Sequence, residues 1–267
     1  MSNKQKYWDD VLFVKYPQLY LPFLEEAKKR AEAEVSGLCR ILNKYKVQKD
    51  AKILDFSCGI GRHSVLLALK GYNVVGYDPS LFYIKRAKQY ALEKISRTEQ
   101  RPAFYSGNIR DISTILKNEF NFDVIILMDT CFGFKGEEED MQILNNLYEL
   151  TKNGGIFVME TEDRDWRLKN FEQITNNMNN GIEMHDKWKF NFETSTSESI
   201  TKFYKNNGNS KRLLLNLHTR LRLYSLHELI QMLRITGWKY KESYNNITTL
   251  KKFNNTELNI VTVSQKI

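Results

Sequence analysis

Short apolar runs alternate with amphipathic stretches through the middle of the chain, and this alternation predicts the order of its elements. Buried strands are expected at residues 52–56, 73–78, 103–105, 122–128 and 156–159. Apolar side chains recur at helical spacing between these strands, at 65–69, from 80 to about 95, and at 141–150. Because strands that alternate with helices are joined by right-handed crossovers, the pattern predicts a mostly parallel, doubly wound sheet.

The two ends of the chain and the stretch at 162–224 depart from this alternation. An amphipathic helix is expected from Pro22 to about residue 45, after an aromatic-rich start. Within 162–224, strands at 187–193, 199–204 and 212–223 are separated by Asn- and Gly-rich turns, which predicts an antiparallel meander. Ser225 and Glu228 then form a capping box at the start of another helix. Two last strands, near 238–244 and 258–263, complete the main sheet.

We therefore predict an α/β fold: a doubly wound, seven-stranded, mostly parallel sheet with an antiparallel β insertion. Residues 1–48 form an N-terminal arm and helix that could act as a lid. Residues 49–161 and 225–267 form the core domain, and 162–224 form the insertion, a substrate cap or a dimer contact.

Composition is ordinary for a globular protein and excludes few functions. Of 267 residues, 42% are hydrophobic and 27% charged, and the net charge is +8. This surplus permits nucleic-acid binding without requiring it, since the basic residues are spread along the chain. Three isolated cysteines fit a reducing compartment. No apolar run approaches the ~20 residues of a membrane span, and no signal peptide is visible, so we expect a cytoplasmic protein without membrane attachment.

The segment from Ile53 to His63 carries the candidate chemistry. Gly59 and Gly61 follow the first strand, where glycine permits a sharp turn and close approach of a ligand. Asp78 ends the second strand, where an acid binds ribose hydroxyls of nucleoside cofactors. A dinucleotide site is disfavoured because Ser64 stands where a third glycine is expected. An NAD site and a purely structural turn both stay open as minor alternatives.

Several segments together resemble the class I S-adenosylmethionine-dependent methyltransferases. The stretch Asp-Phe-Ser-Cys-Gly-Ile-Gly-Arg-His-Ser at 55–64 resembles their motif I, and 71–80 resembles their second strand with its ribose-binding acid. Residues 107–111 are similar to the loop that supplies an acid to the adenine amino group, although Asn108 replaces that acid here. The Lys-Asn-Gly-Gly at 152–155 is similar to the family's Lys-Pro-Gly-Gly. The resemblance covers about residues 30–240.

The resemblance implies S-adenosyl-L-methionine as cofactor, S-adenosyl-L-homocysteine as product, a Rossmann-like methyltransferase fold and a set of site residues. The implied cofactor-binding residues are Arg30, Asp55, Ser57, Gly59, Gly61, Asp78, Pro79, Asn108, Ile109 and Met128. Among them, Asp55 and Gly59 would meet the methionine end and Asp78 the ribose. Arg30 would pair with the cofactor carboxylate, unless it is a solvated surface residue.

Methyl transfer mainly requires alignment of the acceptor, so the absence of a catalytic triad does not argue against an enzyme. Asp129, after the fourth strand, is the candidate catalytic residue, although a helix-capping role explains it equally well. Tyr16, Tyr20 and Arg164 are candidates for substrate contact, and the histidines show no metal-ligand spacing.

Three functions follow from these observations. We expect a methyltransferase acting on a nitrogen or oxygen of a small molecule, as a monomer or homodimer. The first alternative is an RNA or protein methyltransferase, with nucleic acid open as a partner but not favoured. The second is a non-catalytic binding module that keeps the fold.

Overall fold

The computed structural model describes residues 7–129, 131–206, 208 and 210–267, except for the side chains of Glu99 and Ile109. The α-helices in this part of the chain are α1 Leu21–Lys44, α2 Arg62–Leu69, α3 Leu81–Lys94, α4 Ile112–Ile115, α5 Glu137–Leu150, α6 Arg164–Lys169 and α7 Leu226–Ile235. The strands are β1 Lys52–Phe56, β2 Asn73–Asp78, β3 Ala103–Ser106, β4 Phe122–Leu127, β5 Thr151–Glu162, β6 Ile174–Asn179, β7 Ile182–Asn191, β8 Thr196–Asn206, β9 Lys211–Arg222, β10 Trp238–Tyr244 and β11 Asn259–Lys266.

The main sheet has seven strands in the order β10-β11-β5-β4-β1-β2-β3. Strands β1 to β5 pair in parallel, and β11 runs antiparallel to both of its neighbours. The predicted fold class is thereby confirmed. After β1 the chain adds β2 and β3 on one side of that strand. It then crosses back and adds β4 and β5 on the other side of β1. The carboxyl ends of β1 and β4 therefore meet at a topological switch point, where open α/β sheets bind their ligands.

Helices cover both faces of this sheet, as the alternating pattern requires. On one face Val35 of α1, Val65 of α2 and Ala87 of α3 share a buried cluster with the β-strands. On the other face Leu144 of α5 and Leu229 of α7 pack against the sheet. The apolar stripe of α1 thus brings the N-terminal helix against the helix that follows the glycine turn.

The insertion is a four-stranded antiparallel sheet in the order β6-β7-β8-β9. The sequence predicted only its last three strands. The missed strand, β6, is an edge strand with the sequence Ile-Thr-Asn-Asn-Met-Asn and mostly exposed side chains. Edge strands need no buried alternating face, so the apolar pattern that reveals a strand is weak there. Strand β5 also begins five residues before the predicted residue 156, at Thr151.

The N-terminal arm, residues 7–20, lies between the insertion and the main sheet. It contains one short π-helix, Asp10–Lys15, and one 3₁₀ turn, Pro17–Leu19. Leu12 and Leu19 of the arm share a buried cluster with Phe203 of the insertion. Tyr83 of α3 donates a hydrogen bond to the carbonyl oxygen of Pro17, 2.9 Å away. The arm is therefore fixed at both sides by direct contacts.

None of the described helices combines the length and the apolar character needed to cross a bilayer.

Candidate functional site

The turn after β1 contains the two glycines of motif I, and the structure gives them different tasks. Gly61 has a φ of +76° and caps α2, and a Cβ there would lie 2.9 Å from the Cβ of Ala87. Gly59 has a φ of +53°, and the nearest atom to a Cβ there is a Leu24 side-chain carbon at 3.9 Å. Gly61 therefore permits close packing of α2 on α3, whereas Gly59 leaves the backbone of the turn accessible.

The carboxylate of Asp78, at the end of β2, is tied to this turn. Its Oδ2 accepts a hydrogen bond from the Gly59 backbone N–H at 2.8 Å, and its Oδ1 accepts one from the Ser80 N–H at 2.8 Å. Burial raises the pKa of Asp78 to about 6, although the two backbone hydrogen bonds oppose this rise. Asp78 thus links the ends of the first two strands and faces the same opening as Gly59.

A cleft begins at this turn and continues along the carboxyl edge of the sheet. A cavity of about 140 Å³ is lined by Ser57, Gly59, Asp78, Pro79 and Asp129, among others. A smaller cavity of about 70 Å³ adjoins it and reaches Asn108. Both cavities are also lined by Asp9 and Asp10 of the N-terminal arm, so the arm forms one wall of the cleft.

A cluster of charged side chains, three of them buried and two partly exposed, lies beside the cleft, where α1 meets α2. Its members are Arg30, Glu34, Arg62, His63 and Asp129. Arg30 Nε donates to Glu34 Oε1 at 2.7 Å, and Arg62 Nη2 donates to Asp129 Oδ2 at 2.8 Å. Asp129 Oδ2 also accepts from Arg30 Nη2. The cluster connects the N-terminal helix, the glycine turn and the end of β4.

Glu34 is the centre of this cluster. Burial alone would raise the pKa of its carboxyl, but the hydrogen bond and charge of His63, with the charges of Arg62 and Arg30, lower it to about 2. The Glu34 side chain is only 5% exposed. An acid so fully buried and paired holds the two helices in one relative position.

A larger cavity of about 500 Å³ opens on the other side of Asp129. Four acids line it: Glu34, Asp129, Glu160 and Glu162. Arg30 lines it as well, and Tyr20 and Leu24 line both this cavity and the cleft at Asp78. The two spaces therefore adjoin at Tyr20, Leu24 and Asp129.

Glu160 is the acid of this cavity whose pKa is raised. Burial is the main cause, the negative charges of Asp129 and Glu34 add to it, and the result is a pKa of about 8. Glu162, two residues along β5, instead accepts hydrogen bonds from Arg167. Two acids of the same strand thus have different surroundings: Glu162 is paired with Arg167, whereas burial dominates at Glu160.

The structure brings together most of the residues that the sequence singled out. Arg30, Ser57, Gly59, Asp78, Pro79, Asn108, Asp129 and Tyr20 all line the cleft or the acidic cavity. Asn108 lines the smaller space, and its Oδ1 accepts a hydrogen bond from the Arg110 N–H at 2.9 Å. The side chain of Ile109 lies outside the described residues, and Gly61 acts through packing.

Besides Gly61, four candidates line none of these three cavities. Asp55 is buried and accepts a hydrogen bond from Ser64 at 2.5 Å, and Met128 belongs to the hydrophobic core. Tyr16 packs between the arm and the insertion. Arg164 pairs with Asp165 and with Glu228 at the start of α7.

Sequence reasoning assigned no site role to Glu34 or Arg62, and it left Glu160 in a charged run at 160–166 whose default interpretation is a solvated surface. A signal exists for two of them. Glu34 falls on the apolar stripe of α1, between Ala31 and Leu38, and Glu160 directly follows the apolar run of β5. A charged residue at a position that the pattern buries requires a partner or a function.

Comparison with known proteins identifies the family of the chain. A family model described as a methyltransferase domain matches residues 47–208, more than half of the chain. The chain belongs to the class I S-adenosylmethionine-dependent methyltransferases. Its cofactor is accordingly S-adenosylmethionine.

Individual relatives agree with this assignment. TehB of Haemophilus influenzae, an S-adenosyl-L-methionine-dependent methyltransferase by name, is 26% identical over 189 residues, or 68% of this chain and 60% of that protein. Rat glycine N-methyltransferase is 25% identical over 127 residues, or 44% of this chain and 42% of that protein. The chain therefore spans less than two thirds of the length of these relatives.

A solved structure shows the same fold over nearly the whole chain. An S-adenosylmethionine-dependent methyltransferase from Clostridium acetobutylicum superposes with a TM-score of 0.74. The superposition covers 94% of this chain and 98% of that one, at 14% sequence identity.

The residues of the cleft fit the cofactor of this methyltransferase. The backbone at Gly59 is unobstructed, since a Cβ there would have nothing closer than 3.9 Å. The buried Asp78 carboxylate lines the same cavity and is suited to accept hydrogen bonds from ribose hydroxyls. Among the described residues no group of His, Cys, Asp or Glu side chains is arranged to hold a metal ion.

Proposed function

We propose that this methyltransferase acts on a nitrogen or oxygen of a small molecule. The observation that carries the proposal is the cavity of about 500 Å³ that adjoins the cofactor cleft at Asp129. Its volume lies within the range of small-molecule sites. Rat glycine N-methyltransferase, one of the relatives, acts on a small molecule by name.

The proposed roles of the cleft residues follow from where each one lies. Asp78 would accept hydrogen bonds from the ribose hydroxyls, Asn108 would lie near the adenine, and Ser57 and Gly59 would border the methionine end. When bound, S-adenosylmethionine supplies an electrophilic methyl group on a sulfonium. The task of the protein is then to hold an acceptor lone pair in line with that methyl group and to exclude water.

Asp129 is proposed as a positioning residue at the boundary between the two spaces. Its Oδ2 accepts hydrogen bonds from both Arg30 and Arg62, so this oxygen is already engaged. It has a φ of +54°, which a non-glycine residue rarely adopts. Asp129 therefore fixes Arg30 at the mouth of the acidic cavity.

The N-terminal arm and the insertion are proposed to enclose the site. Phe13 and Tyr20 of the arm line the cofactor cleft, and Leu221 of the insertion lines the acidic cavity. We infer that the arm acts as a lid and the insertion as a cap, because both cover the space where water must be excluded.

An RNA acceptor is the weaker candidate. Four carboxyl groups line the cavity beside the cofactor cleft, and a phosphate backbone would be repelled there. The net charge of +8 is the only sequence observation that favours it.

The test is a comparison of acceptor classes with the purified protein and S-adenosylmethionine. Pooled small amines and alcohols, total RNA and a protein extract are supplied separately, and S-adenosylhomocysteine release is measured. We expect release with a small-molecule pool and a mass gain of one methyl group on one of its members. Release with RNA or protein alone would overturn the proposal.

A further inference from the structure

We propose that the acceptor is a protonated amine, and that Glu160 binds its ammonium group and takes up its proton before methyl transfer. This inference rests on the proposed function and specifies its substrate class. It assigns to Glu160 a direct contact with the substrate.

The position of Glu160 is the first observation. It follows Met159, which is paired with Leu127, the last residue of β4, so Glu160 lies beside the point where the chain leaves β4 toward Asp129. Glu160 is 4% exposed and lines the acidic cavity. A group placed there faces an acceptor located between the cofactor cleft and β5.

The second observation is the balance of charges around Glu160. The titratable or charged groups near it from the surrounding elements are Tyr20 of the arm, Arg30 and Glu34 of α1, Arg62 of α2, Asp129 after β4 and Glu162 of β5. Both guanidinium groups are already hydrogen-bonded to Asp129. Glu160 itself accepts a hydrogen bond from the neutral side chain of Asn259. Among the described residues no cation forms an ion pair with Glu160, and Arg62 and Arg30 act on it through their charge alone.

An ammonium group would supply the missing cation. Burial and the neighbouring acids raise the pKa of Glu160 to about 8, so at neutral pH this carboxyl carries a proton in the absence of a cation. A bound ammonium favours the ionised form and releases that proton to the solvent. The ionised carboxylate then lies beside the N–H that must lose its proton.

The proton and electron balance of the step is simple. The ammonium N–H bond breaks, its proton goes to Glu160, and the nitrogen regains its lone pair. That lone pair forms the new bond to the methyl carbon while the sulfur–methyl bond breaks, and the bonding electrons stay on sulfur. The methylated product leaves as a cation, and the proton on Glu160 returns to the solvent.

The chemistry also disfavours other acceptors. An anionic acceptor would meet four carboxyl groups, and Arg30, the cation at the cavity, is occupied by Glu34 and Asp129. A neutral alcohol would gain nothing from the charge of the cavity. A cationic acceptor gains the most binding free energy, because opposite charges attract strongly in a partly desolvated site.

A carboxyl titration by NMR tests the binding step without any turnover. The protein, labelled with ¹³C at the glutamate carboxyl carbons, is titrated with S-adenosylhomocysteine present. Ethylammonium chloride is the probe, with ethanol and equimolar KCl as controls, and Glu160→Gln identifies the signal. We expect the Glu160 midpoint near pH 8 to fall by about one pH unit with ethylammonium and not with the controls. An unmoved midpoint would overturn the inference.

Turnover then separates this inference from the proposed function. With an accepted amine from the pool, Glu160→Gln should lower kcat/KM about a hundredfold and abolish its pH dependence near pH 8. Glu138→Gln makes the same substitution at an exposed position in the first turn of α5, and this variant should keep the wild-type kcat/KM and its pH dependence. If only alcohols are methylated, the inference fails and the proposed function stands. If only RNA or protein is methylated, both fail.

A folding control keeps this result interpretable. Glu160→Gln removes a buried carboxyl whose ionisation costs stability as the pH rises from 4.5 to about 8, so its Tm should exceed the wild-type Tm at pH 9 and approach it at pH 4. A variant that is less stable at both pH values would show that Glu160 is needed for packing, and the inference would be abandoned.

Discussion

Glu34 of α1 and His63 of α2 are joined by a buried contact, with 2.7 Å between Glu34 Oε2 and His63 Nε2. Both side chains are no more than 5% exposed. His63 is the second residue of the helix that follows the glycine turn, so this contact fixes that turn against the N-terminal helix. The same Glu34 oxygen also accepts from Arg62.

Replacing Glu34 should therefore destabilise the whole fold. Glu34→Gln removes one of the carboxylates that pair with the buried Arg62. Breaking a buried ion pair lowers the free energy of unfolding by about 3 kcal/mol. Urea denaturation measures this loss. Glu32→Gln, on an exposed position of the same helix, is the matched control and should change stability by less than about 0.5 kcal/mol. Equal midpoints for the two variants would refute the structural role.

The Glu34 cluster should also set the acid limit of stability. The pKa of Glu34 is lowered to about 2 from an ordinary value of 4.5. Its contribution is therefore complete above pH 4.5 and is lost as the pH falls toward 2. Thermal melts between pH 6 and 3 should show a smaller drop in Tm for Glu34→Gln than for the wild type. Parallel curves would contradict this.

Cofactor affinity should depend on Asp78 and on the open backbone at Gly59. Asp78→Ala removes the carboxylate proposed for the ribose hydroxyls, and Gly59→Arg fills the turn. We expect at least a tenfold loss of S-adenosylhomocysteine affinity in calorimetry for both. Asp50→Ala, at an exposed position before β1, should bind as the wild type does.

The same carboxylate predicts a pH dependence of binding. Burial raises the pKa of Asp78 to about 6, and hydroxyl donors favour its ionised form. Affinity for S-adenosylhomocysteine should be constant above about pH 7 and should decline as the pH falls below 6. An affinity that is flat down to pH 5 would show that Asp78 does not contact the ligand.

The glycine turn can be tested for packing against Ala87. Gly61 and Gly154 both have positive φ, +76° and +81°, but only at Gly61 would a Cβ meet another residue. Gly154→Ala should cost about 1 kcal/mol from backbone strain alone. Gly61→Ala should cost about 1–3 kcal/mol more, because the packed α3 must move. Chemical denaturation distinguishes the two values.

The hydrogen bond between Tyr83 and Pro17 should limit the motion of the N-terminal arm. Tyr83→Phe removes the hydrogen bond to the Pro17 carbonyl while keeping the ring. If the arm is a lid, the variant should exchange amide hydrogens faster at 7–20 and release S-adenosylhomocysteine several-fold faster. The control is Tyr105→Phe on β3, which removes a hydroxyl that donates a hydrogen bond to Glu119. This variant should leave the exchange rate and the release rate unchanged.

The sequence alone determined the layered fold and brought Gly59, Gly61 and Asp78 to one edge of its sheet. Apolar periodicity reports burial directly, and Gly59, Gly61 and Asp78 fall at strand ends that any parallel sheet places at one edge. It missed β6, because an exposed edge strand leaves little apolar pattern.

Only the tertiary structure decided which charges meet. Arg30, Arg62 and Asp129 are far apart in the chain and come together because α1 packs against α2 at the switch point of the sheet. Likewise, the sequence pattern places Glu160 only at the end of an apolar run. Its raised pKa results from burial beside Asp129 and Glu34, which only the tertiary structure shows. Periodicity reports how one element faces the core, whereas charge pairing depends on distances between elements that no single stretch of sequence contains.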